Sequence, residues 1–550
     1  MLKGEADMRN VLLAVLLLST PLTPTPALAQ DDMAQPAGKL QLGEVSFPIS
    51  CRATVQIQFN RAIATLHSFW YEEAVRAFTV VTETDPGCAM GYWGLAMSNW
   101  YQLWSPPSAA ALKAGSGAVA KARSISDGTE RERAYIEAIS TFYQDSDTLN
   151  HRTRSIAYTA SMRELHSRYP DDREAAIFFA LALNASALPT DKTFANQKEA
   201  AQILQKIFVE QPNHPGVAHY LIHSYDSAPL AELGIPAAIC YSKIAPSVPH
   251  ALHMPSHIFT RLGKWQDSID SNRAAASAGQ DYALRQYGKD VAWDQSLHAM
   301  DYLAYAYLQL AQDGAAKLLV DEIVAFHVAM PESMAAAYAL AAIPARYAVE
   351  RRDWMQAAAL SLPSLPFDWD RFPWTAAMVT YARALGAART GNIAGAQIEI
   401  DRLRAMRETV LATSKYWADQ IEVQRLAAMA MLARAQGKDA AAVADLRSAA
   451  ELDTSMDKNN VTPGAVVPTR ELLGDLLLEL NQPADALNAY ELALAVDPNR
   501  FRSVYGAAKA ADRAGDPAKA KTYYRQLALL GSHADTKRPE LVEAQAYSGQ

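Results

Sequence analysis

Cysteine, glycine and long apolar runs are scarce in this chain, and it carries no excess of positive charge. There are three cysteines and 25 glycines among 550 residues, and the formal net charge is −8 at pH 7. An acidic chain without a basic stripe has little with which to neutralise phosphates, which argues against nucleic acid as a main partner. After the N-terminal stretch, no segment has the about 18 uninterrupted apolar residues that a membrane span requires.

Familiar catalytic signatures are missing as well. The sequence has no Ser-His-Asp nucleophile elbow, phosphate loop, dinucleotide fingerprint or His-Glu-x-x-His metalloprotease motif. Alternating apolar and polar runs of strand length are hard to find, so a sheet is not expected. Half of the residues are hydrophobic and a fifth are charged, which indicates a folded chain with ample material for a core.

The N-terminus has the pattern of an export signal. An apolar run from Val11 to Leu18 follows two basic residues, and Ala27-Leu28-Ala29 supplies the small residues that precede a cleavage site. We expect residues 1–29 to be a signal peptide and residues 30–48 to be an extended lead-in. The mature protein is then expected outside the cytoplasm, periplasmic or secreted.

The expected compartment permits disulfides, and Cys51 and Cys88 flank the first helical repeat. We predict that they pair, which in the chain-entropy model stabilises the fold by roughly 4 kcal/mol. Cys240 is left over, and we interpret it as a small buried apolar residue.

Helical repeats dominate the rest of the chain. The clearest has small residues where two helices would cross and a closing proline, and it is followed by a second unit with Gly515 and Tyr524 in register. The residues of the clearest unit are Leu473, Gly474, Ala486, Tyr490, Ala493 and Pro498.

These spacings resemble the tetratricopeptide repeat (TPR) family over most of the mature chain. The resemblance implies an all-α fold, a right-handed α-solenoid of stacked antiparallel helix pairs, with a concave groove for a peptide, protein or small-molecule ligand. We expect an N-terminal array at 49–362, an irregular aromatic-rich break at 363–374, a C-terminal array at 375–532 and a tail at 533–550.

Histidines are concentrated in one part of the N-terminal array. Seven of the twelve lie between His214 and His298, and six of these seven fall in three similar stretches that start 34 and 48 residues apart. Two pairs, His219 with His223 and His253 with His257, have the i,i+4 spacing of one helix face. The extra length between the last two stretches, Ser277 to Trp293, is either a cover for the groove or an ordinary loop or short helix.

The TPR register implies that His250, His253, His257 and Arg261 line the groove. Imidazoles from neighbouring helices about 8–10 Å apart can meet at one ion, since a metal–nitrogen bond is about 2 Å long. The expected ligands are His219, His223, His253, His257 and Asp301, with His250 and His298 next. Zinc or copper fits best, and iron or nickel is possible. Pro255, between two of these histidines, is expected to kink its helix.

Three functions remain open from the sequence alone. The first is an exported TPR solenoid that binds a transition metal and a ligand in its groove. The second is a metal-dependent hydrolase, or less favourably an oxidase, in which Asp301 acts as base, Tyr305 donates a proton and Arg261 holds an anionic group. The third is a metal-free scaffold for protein interaction.

Overall fold

Helices make up nearly all of the regular structure in a computed structural model that describes residues 40–101 and 106–548. The α-helices are α1 Gln56–His67, α2 Tyr71–Thr84, α3 Ala89–Ser98, α4 Ala109–Ser124, α5 Glu130–Tyr143, α6 His151–Arg168, α7 Arg173–Ser186, α8 Ala195–Glu210, α9 Pro215–Tyr225, α10 Ile235–Ile244, α11 Pro249–His253, α12 Pro255–Arg261, α13 Trp265–Tyr287, α14 Asp294–Gln309, α15 Asp313–Ala325, α16 Met334–Glu350, α17 Trp354–Ala358, α18 Pro373–Arg389, α19 Ile393–Leu411, α20 Lys415–Ala435, α21 Asp439–Thr454, α22 Thr469–Glu479, α23 Pro483–Val496, α24 Phe501–Arg513, α25 Pro517–Leu530 and α26 Pro539–Ser548. Short 3₁₀ turns lie at Ala53–Val55, Ala231–Gly234, Trp369–Arg371 and Gly531–His533.

Consecutive helices pack as antiparallel pairs, which confirms the predicted all-α solenoid. Small residues allow the helices of a pair to approach closely. A Cβ on Gly94 would lie 2.2 Å from the Phe78 ring, and one on Gly474 would lie 2.7 Å from the Tyr490 ring. Because neither contact leaves room for a larger side chain, glycine is required at both crossings.

A two-stranded sheet is the exception to the expectation that strands are missing. Strand β1, Val291–Trp293, pairs in parallel with β2, Val328–Met330. It follows α13, which is 23 residues long and takes up much of the predicted insertion. The insertion is therefore an extended repeat helix and a short strand.

The N-terminal region falls into two parts. The predicted signal peptide and the first part of the lead-in lie outside the described residues. From Gln41 onward the described residues belong to one compact unit, and Phe47 in the lead-in is fully buried. The sulfurs of Cys51 and Cys88 are bonded, which confirms the predicted disulfide. Across the described ranges, no helix combines the length and apolarity needed to cross a bilayer.

The C-terminal repeats contact the histidine-bearing helices directly. The Trp265 indole donates to the carbonyl of Asn499 over 2.8 Å, and Arg500 donates to the Tyr305 hydroxyl over 2.9 Å. Gly263 has φ +62°, and a Cβ there would be 2.2 Å from the carbonyl oxygen of Pro498. Glycine is thus needed both for the turn after α12 and for this contact.

A non-helical segment between α21 and α22, residues 456–468, crosses the inner side of the solenoid; we call it the crossing loop. The Asp457 amide donates to the Pro189 carbonyl over 2.8 Å, and Arg346 donates to the Thr462 hydroxyl over 2.9 Å. The crossing loop therefore covers the expected groove at the histidines.

Candidate metal centre

Six histidine side chains meet inside the solenoid in two adjacent groups of three. We call these the first triad, His219, His223 and His250, and the second triad, His253, His257 and His298. Within each triad the candidate ligand atoms all lie within 4.8 Å of one another. The rings are at most 4% exposed. The expectation that imidazoles from successive inner helices share a pocket therefore holds.

Three helical elements deliver these rings. Helix α9 carries His219 and His223 on one face, and α14 carries His298. Between them, α11 ends at His253 and α12 begins at Pro255, so the predicted kink is a break in the helix at Met254. The break preserves the common face, because the rings of His253 and His257 remain 4.9 Å apart.

The first triad is centred on His219. Its Nε2 lies 3.1 Å from Nε2 of His223 and 3.2 Å from Nε2 of His250. The Phe69 ring stacks on the rings of His223 and His250 at 5.7 Å, and Tyr241 stacks on His219 at 5.1 Å. Aromatic rings thus enclose two sides of this triad.

The second triad has one short contact between ring nitrogens. The Nε2 atoms of His253 and His257 are 3.0 Å apart, and the ring of His298 lies 4.3 Å from that of His253. Tyr302 packs against all three rings at centroid distances of 4.8–5.4 Å. Its hydroxyl donates to the Thr462 carbonyl over 3.1 Å, so the crossing loop closes this side.

Hydrogen bonds at Nδ1 fix which ring nitrogen of three histidines carries the proton. His219 donates to the carbonyl of His67 over 2.6 Å. His253 donates to Oδ1 of Asn272 over 2.6 Å, and the Asn272 amide donates to the Ser268 carbonyl, which settles the orientation of that amide. Since a carbonyl oxygen only accepts, Nδ1 is protonated in both rings and Nε2 carries the lone pair.

His257 has the same tautomer for an electrostatic reason. Its Nδ1 lies 2.9 Å from Oδ2 of Asp226. Burial alone would raise the pKa of Asp226, but Lys458, Arg261 and His257 outweigh burial and hold this pKa well below its usual range. The ionised carboxylate only accepts, so Nδ1 of His257 donates and Nε2 carries the lone pair. The Tyr302 hydroxyl, 3.3 Å from the same nitrogen, donates to the crossing loop over a shorter distance.

Burial keeps the six imidazoles neutral. It lowers the pKa of His219 to about 3 and also lowers the pKa of the other five rings. A neutral imidazole is the form that binds a metal ion, and a proton competes with the metal only below that pKa. At neutral pH the Nε2 lone pairs of His219, His253 and His257 are therefore available.

A separate buried cluster lies behind the first triad. Glu174 accepts hydrogen bonds of 2.9 Å from both His67 and His214. Burial alone would raise the pKa of Glu174, but the two imidazoles lower it to about 2. Both carboxylate oxygens are already bonded, and the backbone carbonyl of His67 orients His219. We interpret this cluster as support for the first triad.

The structure places Asp301 and Tyr305 away from the triads. In the described chain, neither group of converging ligand atoms includes Asp301, which pairs with Arg346. Burial raises the pKa of Asp301 to about 7 although Arg346 opposes the shift. Tyr305 accepts from Arg500, as described above. On α14, the expected ligand His298 belongs to the second triad, and Tyr302 packs against it.

Arg261 is in the groove as predicted, but it serves Asp226. Its Nε donates to Oδ1 of Asp226 over 2.9 Å, and its Nη2 donates to the Asp226 carbonyl over 2.9 Å. Two other contributors to the site were missed by sequence reasoning. Asn272 lies on the face of α13 that packs against α11. It is recognisable as a contributor only once the register between these two helices is known. Lys458 comes from the crossing loop, and no local signal marks it.

Comparisons with known proteins identify one repeat. Residues 468–500 match the family model described as tetratricopeptide repeat. No protein of the curated set matches the chain. A crystal structure of the APC/C hetero-tetramer Cut9–Hcn1 is similar at 9% identity and a TM-score of 0.29, covering 90% of this chain and 96% of that one. An IFIT1 monomeric mutant with Gppp-AAAA is similar at 10% identity and a TM-score of 0.37, covering 88% and 96%.

At these TM-scores, neither solved structure supports an argument about function. The family model covers the helix pair α22 and α23, and the described residues as a whole form an all-α repeat fold. Residues 468–500 are therefore similar to a single tetratricopeptide repeat.

Proposed function

We propose that the protein binds two transition-metal ions, one in each histidine triad, in a centre enclosed by the solenoid. The observation that carries this proposal is the contact between His253 and His257. Both rings are held in the Nδ1-protonated tautomer, so two Nε2 lone pairs face each other across 3.0 Å. Two buried acceptors in that position are each left without a donor, at a cost of about 1–3 kcal/mol per group.

A cation between the two nitrogens removes this conflict. An ion that binds two nitrogens 3.0–3.2 Å apart, each at about 2.0–2.1 Å, has a nitrogen–ion–nitrogen angle of roughly 90–105°. This angle is within the range of distorted tetrahedral coordination. A shared proton is the competing solution. The lowered pKa of both rings disfavours it, since burial raises the free energy of an imidazolium.

The donor set favours zinc or copper. Each triad offers imidazole nitrogen, and Asp226, the carboxylate at the second triad, bonds to a ligand ring and is not among the converging ligand atoms. Nitrogen ligands suit zinc, copper, nickel and iron, whereas magnesium, calcium and manganese prefer oxygen. Three donors per ion also leave a fourth position for water or another ligand.

Metal content tests the proposal directly. The purified chain is loaded separately with zinc and with copper, passed through a desalting column and measured by elemental analysis, with an expected value of two ions per chain. The double variant His253→Ala with His257→Ala should retain one ion, and His219→Ala with His223→Ala should also retain one. His327→Ala, an exposed histidine outside the triads, is the matched control and should retain two.

The competing functions give different results. Metal far below one ion per chain, with the triad variants folded like the parent, would leave a metal-free interaction scaffold. We also propose, from the N-terminal pattern, that the protein is exported. Cleavage near Ala29 in the secreted or periplasmic fraction, read by N-terminal sequencing, tests that part separately.

A further inference from the structure

A cavity of about 130 Å³ opens beside the first triad. Its walls come from the loop after α7, the first turn of α8, the end of α9 and the crossing loop. Of the six histidines, only His223 borders it in the described chain, and His223 is also the most exposed of them at 4%. A buried water needs about 10–15 Å³, so the cavity has room for a ligand of several atoms.

We propose that the ion of the first triad binds a small anionic ligand through this cavity, whereas the ion of the second triad is closed to exogenous ligands. The proposal depends on the two-ion centre described above. It adds an asymmetry: one of the two ions has an exchangeable position, which is the feature that a metal-dependent enzyme or a ligand-carrying protein requires.

The polar groups at the cavity fit a small anion. The Lys458 ammonium lies 3.2 and 3.4 Å from the two oxygens of Asp226. The carboxylates of Asp226 and Asp457 also border the cavity, but Arg261 contacts both of them. An anion that enters the cavity is attracted by the positive charges of the ion and of Lys458, and the neutral imidazoles do not reduce this attraction.

A second observation at the same wall points to a ligand. Ser227 is 4% exposed and borders the cavity, and its hydroxyl has no hydrogen-bond partner among the described residues. A buried hydroxyl without a partner is rare in folded proteins. Because a hydroxyl donates as well as accepts, a bound anion beside Ser227 would satisfy it.

The histidines of the second triad are buried more deeply than His223. None of them borders the cavity, and their rings are at most 1% exposed. Tyr302 covers them and is itself bonded to the crossing loop. A ligand would have to displace both the Tyr302 ring and the loop to reach this ion.

Azide titration of the copper-loaded protein tests the asymmetry. The change in the visible absorption of the copper is followed as azide is added, and the expected stoichiometry is one azide per two copper ions. Ala187→Trp should weaken azide binding by at least about tenfold, because Ala187 lines the cavity and an indole there takes up space that the ligand needs. Ala120→Trp, on the exposed side of α4, is the matched control and should bind azide as the parent does.

Lys458→Gln is the second variant, with an expected loss of several-fold in azide affinity that shrinks at high salt. Copper content is measured for every variant, so that misfolding is recognised by loss of metal. Three results would overturn this inference and leave the two-ion centre standing. The protein with two copper ions could bind no azide, it could bind two azides, or Ala187→Trp could bind azide with the affinity of the parent. Absence of bound copper and zinc would overturn both.

Discussion

Removal of the side-chain oxygen of Asn272 should weaken metal binding at the second triad without touching a ligand. Asn272 and His253 are 0% and 1% exposed, and their hydrogen bond of 2.6 Å is the contact that holds Nε2 of His253 toward the ion position. In Asn272→Ala the imidazole can exchange its proton between the two nitrogens and rotate. Loss of such an outer partner typically costs about 10–100-fold in metal affinity, which corresponds to roughly 1.4–2.7 kcal/mol.

The assay is a competition titration in which a chromophoric chelator and the protein share a limiting amount of zinc. Two binding steps are expected for the parent, and Asn272→Ala should shift one step by about 10–100-fold while the other moves little. Asn272→Asp keeps an oxygen acceptor for Nδ1 and should restore most of the affinity. Equal affinities for the parent and Asn272→Ala, with both proteins folded, would refute the argument that this hydrogen bond fixes the tautomer at the site.

Three further predictions concern stability in urea titrations. Glu174→Gln should lower the free energy of unfolding at pH 7 by up to about 3 kcal/mol. In the parent, the stabilisation by ionised Glu174 is complete above pH 4.5, the ordinary pKa of a glutamate, and is lost as the pH falls toward 2. A variant whose stability falls with acid as the parent's does would contradict this prediction. Arg500→Ala leaves the buried Glu471 unpaired and should cost about 3–5 kcal/mol, so a change below 1 kcal/mol would exclude a structural role for this ion pair. Cys51→Ser with Cys88→Ser should cost about 4 kcal/mol, and reductant should have no further effect on that variant.

The histidine pairs on α9 and on α11–α12 were predictable because their geometry is local. An i,i+4 spacing fixes two side chains on one helix face whatever the neighbouring helices do. The repeat register then turns that face inward, since small residues such as Gly474 determine which sides of the helices meet. These two rules suffice for His219, His223, His253 and His257.

The third helix was harder, because its register depends on the insertion that precedes it. The alignment that placed Asp301 and Tyr305 inward assumed that α14 continues the repeat phase across the extra residues. Helix α13 instead runs to Tyr287 and is followed by strand β1. The same alignment also placed His298 in the groove, and the structure brings this ring to the second triad. Asp301 pairs with Arg346 and Tyr305 accepts from Arg500, and no pattern along the sequence marks these distant partners.

The sequence did not predict that the crossing loop covers the groove. Lys458 is 232 residues from Asp226, and a loop with no helical period offers no register from which to place it. The crossing loop reaches the histidines through contacts that are distant in sequence, such as that between Lys458 and Asp226. Long-range closure of this kind depends on the accumulated angles of many helix pairs, each of which is set by packing details that local patterns do not encode.

Asp226 connects the second triad with the crossing loop. One oxygen orients His257, both oxygens contact Lys458 of the crossing loop, and Arg261 donates a hydrogen bond to the carboxylate. A buried carboxylate is tolerated only while such partners remain in place. The loop therefore cannot withdraw without leaving Asp226 short of one cation, and Asp226 cannot shift without freeing the tautomer of His257. An ion bound at the second triad would accordingly stabilise the closed loop, and closure of the loop would in turn strengthen binding of that ion, because the coupling is reciprocal.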